Sequence, residues 1–182
     1  MFGLLSSIIY FGIFIQKDFT WSQKIIITHS IKDDVDKNIT REREIYDLFE
    51  QMDYMLSHPF CTSKRIIEDK GSEKTFEIVE ELKLMSLIPL KLVSTAYMKK
   101  LSDNQYYNSV VLNILGVFKS NFDTEFIINK NIVKDQGGEK VNYEIEEKVT
   151  IKGPQLVTFI VGNIAYPEHQ LMMSKIKNKY SE

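Results

Sequence analysis

Two glutamates interrupt otherwise apolar strand-like runs. Glu80 stands between Ile78 and Leu82 in TFEIVEELKLM, and Glu147 stands between Ile145 and Val149 in VNYEIEEKVTI. Alternate residues of a strand share a face, so each acid falls among residues that seek the interior. A carboxylate withdrawn from water has a raised pKa unless it is paired, and it can then orient a ligand or act as a general acid. The competing geometry is a β-bulge that turns the acid outward, or an ion pair with a cation such as Arg65.

Other polar groups offer weaker chemistry. Tyr97, Tyr106, Tyr107, Tyr143 and Tyr166 could present hydroxyls to a polar head group, or pack with a wet tip. Asn108 and Asn113 are lesser versions of the same idea. His29, His58 and His169 have no HExxH-type spacing, and no acid or thiol completes a metal site with them, so they read as structural or exposed. The sequence holds neither a phosphate-cradling glycine loop nor GxSxG. No catalytic residue, metal or cofactor is therefore assigned.

The chain has 182 residues, 43% of them hydrophobic and 26% charged, which suits one domain with a sizeable core. Its net charge is -2, and its cations are interspersed with acids, which excludes a basic nucleic-acid footprint. A single cysteine, Cys61, rules out a disulfide framework and points to a reducing, cytoplasmic setting. Residues 1–15, MFGLLSSIIYFGIFI, carry no charge but are short for a membrane span. They read as an anchor or uncleaved leader, as a segment packed on the domain, or as an extended start outside the fold. Residues 1–16 are accordingly set apart, and the folded domain is expected over 23–182.

Hydrophobic spacing gives the elements. QKIIITHSI (23–31) reads as a strand. A helix follows from about Thr40, broken near Asp53 and ended before Pro59. From Cys61 the period becomes two. Strands are expected over 61–69, 75–85, 92–101, 106–118, 121–133 and 139–151, with the Gly137-Gly138 hairpin turn the clearest. Pro89 implies a bend or loop in LMSLIPLKLV. Gly153-Pro154 then starts a long helix, with Pro154 at its first position and Pro167 expected to kink or split it.

Strand, helical segment, six antiparallel strands and a long C-terminal helix resemble the helix-grip fold of the START-like, Bet v 1-like superfamily, also called SRPBCC or polyketide cyclase/dehydratase-like. The end of the chain, YEIEEKVTIKGPQLVTFIVGNIAYPEHQLMMSKIKNKY, carries the resemblance best. One departure is visible: the glycine-rich loop of the plant branch is reduced to Asp69–Glu73. The resemblance implies an α+β fold, with a curved seven-stranded antiparallel sheet gripping the last helix around an internal cavity. It further implies that Glu80, Tyr97, Leu112, Phe126, Tyr143, Glu147, Leu156, Phe159 and Ile160, with Val161 beside them, lie nearest any ligand. Leu87, Ile88 and Pro89 of the 86–90 loop would flank the mouth. The expected function is binding or transfer of a hydrophobic small molecule or lipid. The alternatives are a cyclase- or dehydratase-type enzyme using the two glutamates and a tyrosine, or a protein-interaction module with a filled cavity. Transient membrane contact would fall to residues 1–15 or the 86–90 loop.

Overall fold

The computed structural model describes residues 15–31, 35–84, 88–114, 118–135 and 138–181. The elements are β1 (Gln16–Ser30), α1 (Val35–Glu50), a 3-10 turn (Asp53–Ser57), β2 (Cys61–Asp69), β3 (Glu73–Leu84), β4 (Ile88–Ser102), β5 (Gln105–Ile114), β6 (Phe118–Asp135), β7 (Gly138–Pro154) and α2 (Gln155–Tyr180). The seven strands form one sheet in the order β1-β7-β6-β5-β4-β3-β2, and every neighbouring pair is antiparallel. This is an α+β helix-grip architecture.

Strict alternation builds the concave face. On β7, Tyr143, Ile145, Glu147, Val149 and Ile151 are buried, and the residues between them are not. The same parity buries Ser94, Ala96 and Met98 on β4 and Thr124, Phe126 and Ile128 on β6. Phe49 of α1 fills the hollow at one end, 4.8 Å from the Phe126 ring. Met172, Met173 and Ile176 of α2 close the same core. The break expected near Asp53 is real: Met52 adopts φ 54°, a left-handed conformation that an α-helix cannot continue.

Several boundaries differ from the sequence expectation; α1, for one, begins at Val35 rather than about Thr40. β1 begins at Gln16, not Gln23, and pairs with β7 from Gln16↔Pro154 onward. Phe19 and Trp21 supply its inward parity there, while Lys17, Asp18, Thr20 and Ser22 are exposed. Residues 1–14, most of the apolar start, lie outside the described residues. Pro89 is not in a loop but is the second residue of β4, opposite Lys83. Among the described residues the β4–β5 ladder runs only from Thr95↔Val111 to Ser102↔Gln105, so the missing N–H of Pro89 breaks no pair on that side. Pro154 is the N-cap of α2 rather than its first helical residue. Finally, α2 runs unbroken through Pro167. The lost bond to the Asn163 carbonyl falls on an exposed side of the helix, where water can serve it.

The stripe by which α2 packs is Thr158, Gly162, Ala165, His169, Met172, Ile176 and Tyr180, spaced by four and three. Gly162 sits on Phe19 of β1: a Cβ there would come 2.5 Å from the ring. Gly162→Val is expected to destabilise the fold by about 1–3 kcal/mol in urea denaturation, by overpacking this contact. An unchanged midpoint would show that Phe19 swings away freely.

Candidate functional site

The packing of α2 is lopsided. Its second half is embedded in the core, while its first half touches β1 through small residues and stands off β3, β4 and β5. The gap is a cavity of about 300 Å³. Its wall is mostly apolar. Val157, Ile160, Val161 and Ile164 line the helix side, and Ile78, Leu92, Val110, Leu112 and Phe122 line the sheet side. Phe159, 62% exposed, with Leu156 and the exposed parts of Ile160 and Ile164 at the cavity's edge, forms an apolar stripe along the same half-helix.

A chain of ionisable side chains crosses beneath α2 at this cavity. His169 Nδ1 donates to Glu147 Oε1 at 2.7 Å, and the amide of Gln23 donates to the other carboxylate oxygen. Glu147 is wholly buried. The ring of His58 lies 5.7 Å from that of His169, and His58 Nδ1 is 3.7 Å from Glu80 Oε1, too far for a hydrogen bond. His58, Glu80 and His169 all line the cavity, and Glu147 stands one layer behind His169. Nearby, Asn108 donates to the Tyr54 hydroxyl at 2.9 Å.

Burial sets the electrostatics. It pushes His58 down to about 4, helped by the nearness of His169 and Lys175, so the ring is neutral at pH 7. Burial also raises Glu80, partly offset by His169. Tyr54 is raised far above its ordinary value by burial and by Glu147. Cys61 is pushed up to about 11 by burial and by Glu80, which leaves its thiol a poor nucleophile.

A stability prediction follows from His58. Its folded pKa lies below the unfolded 6.5, so the unfolded chain binds the proton first as pH falls. The stabilisation is complete above 6.5 and is lost as pH falls toward 4. Between pH 7 and 5 the loss should be about 2 kcal/mol. Glu80 acts with the opposite sign, since its raised pKa favours the folded state once it protonates. Urea denaturation of wild type and His58→Gln at both pH values should show a shallower loss in the variant. Equal losses would mean that His58 is not held neutral.

The sequence-derived site residues divide. Glu80, Leu112, Ile160 and Val161 line the cavity. Glu147 supports it from behind, and neither glutamate pairs with Arg65, which instead meets Glu77 at 3.0 Å. Tyr97 does not line it: parity places Ser94, Ala96 and Met98 inward on β4, and Tyr97 bonds to Glu73. Phe126 is consumed in the core by Phe49 and Tyr54, and Tyr143 by the core beside His29. Leu156 and Phe159 are exposed because the packing stripe runs through Thr158 and Gly162 instead. Ile88 and Pro89 belong to β4, and Leu87 lies outside the described residues. His58, His169, Ser94 and Thr124 were missed. For His169 a signal existed, since it continues the four-three spacing of Gly162 and Ala165.

No protein-family model matches the sequence, and no curated protein does either. Solved structures do resemble it. A hypothetical protein of Helicobacter pylori superposes with a TM-score of 0.54 at 9% identity, over 89% of this chain and 88% of that one. The di-domain ARO/CYC proteins BexL, of the BE-7585A biosynthetic pathway, and StfQ, of the steffimycin pathway, each give 0.52, at 9% and 6% identity over 91% and 90% of this chain. The chain spans about half the length of these two, 50% of each. At such identities the likeness is one of fold. The fold they share with this chain is a helix-grip fold. Among the described residues, no helix is long and apolar enough to cross a membrane.

Proposed function

We propose that this chain binds or transfers a hydrophobic small molecule or lipid between its sheet and α2. The observation that carries the reading is the cavity of about 300 Å³, at the small end of ligand sites, with a mostly apolar wall. Burying an apolar ligand against such a wall yields about 25 cal/mol per Å² removed from water. The exposed stripe of Leu156, Phe159, Ile160 and Ile164 supports transient contact with a membrane during exchange. The backbone carbonyl of Ile15, where the uncharged N-terminal run ends, bonds to Gln155 N at 2.7 Å at the start of that helix. A cytoplasmic carrier working at membranes accords with this. Titration with the neutral apolar dye Nile red tests the proposal: saturable one-to-one binding is expected, and no saturable binding would overturn it.

One observation favours a second reading, a cyclase- or dehydratase-type enzyme. Glu147 holds Nδ1 of His169, whose ring lines the cavity where a ligand would meet it. The ARO/CYC proteins that share the fold are named for such chemistry. On this reading Glu147→Gln retains dye binding but loses turnover of a polyketide-like substrate.

A further inference from the structure

Three polar atoms beside the cavity have no hydrogen-bond partner: Ser94 Oγ, Asn108 Oδ1 and His58 Nδ1. Their residues are 7%, 1% and 8% exposed. Buried polar groups are ordinarily paired, and one left unpaired loses its hydration with nothing in return. Asn108 has already spent its amide hydrogen on Tyr54, so its free atom is an acceptor that needs a donor. Ser94 offers a hydroxyl that can turn about χ1 and either donate or accept. Register keeps these groups apart. Asn108 faces Thr124 across β5 and β6, and Ser94 faces Ile78 across β4 and β3.

The charge of the lining is equally selective. Among the described residues, no lysine or arginine lines the cavity, whereas Glu80 and Glu168 both do. His58 is neutral at pH 7, and His169 has committed Nδ1 to Glu147. A carboxylate or phosphate head would therefore enter a low-dielectric space with acids for neighbours and no lysine or arginine to meet it. A hydroxyl can donate to an orphan acceptor and accept from an orphan donor without carrying charge.

We infer that the cavity selects an uncharged apolar alcohol or phenol, its hydroxyl turned to Ser94, Asn108 or His58, over the anionic amphiphile of equal chain length. The inference rests on the cavity being a binding site, so its test separates the two. Decane, decanol and decanoate are each made to displace Nile red from the full chain. Decanol should displace the dye at roughly tenfold lower concentration than decane, the worth of one or two net hydrogen bonds, and at lower concentration than decanoate. The Ser94→Ala and His58→Phe variants, measured separately, should weaken decanol more than decane and so narrow the gap between them. Equal potency of decane and decanol, or tighter binding of decanoate, overturns the head-group selection and leaves the apolar cavity standing. Failure of both dye and decane to bind overturns the cavity reading and this inference with it.

Discussion

Val110→Trp is expected to weaken binding of an apolar dye by at least about tenfold while leaving the chain folded. Val110 lines the cavity from β5 and is half-buried, so an indole built there grows into the open volume. Overpacking costs about 1–3 kcal/mol of stability, which a domain of this size can absorb. The control is Val93→Trp. Val93 is 62% exposed and has the opposite parity on β4 from Ser94, so its indole projects from the outer face. Dye titration of both variants, with circular dichroism to confirm folding, separates the outcomes. Equal weakening, or none in Val110→Trp, would place the binding site elsewhere.

The second large effect is on stability. Glu147→Leu should destabilise the fold by about 3–5 kcal/mol, because it removes one partner of a buried pair. His169 Nδ1 and the Gln23 amide would both lose their acceptor. Replacing His169 as well, in Glu147→Leu/His169→Met, should recover part of the loss, since packed apolar side chains can substitute for a buried ionic pair. Urea denaturation measures all three proteins. A single variant within about 1 kcal/mol of wild type would mean that the pair is not buried as described.

Much of the architecture was legible because strands advertise themselves by parity. Cys61–Asp69 was read to the residue, and Glu80 and Glu147 proved to be inward, as their apolar flanks implied. Tyr97 falls outside the site by the same rule, since it has the opposite parity from the buried Ala96 and Met98. The helix was harder. Leu156 and Phe159 are the oiliest choices, yet close approach to Phe19 selects small residues, and Gly162 leaves no hydrophobic mark in a sequence. His58 could not be read at all. It lies in the irregular stretch between the 3-10 turn and β2, where neither period applies, and only tertiary packing brings it to His169. Phe126 shows the remaining gap: an inward face says that a side chain is buried, not whether a helix or a void covers it.

The most direct test of the central claim uses the only tryptophan in the sequence. Trp21 packs edge-on against Phe122 and His169, at 5.9 and 5.5 Å between ring centroids, and both of those residues line the cavity. Decanol absorbs no ultraviolet light that would confuse the signal. Its titration should shift Trp21 emission saturably, with an end point of one molecule per chain, and the shift should be reversed on extraction of the alcohol. Emission that stays constant, or drifts without saturating, would contradict an apolar ligand seated between the sheet and the C-terminal helix.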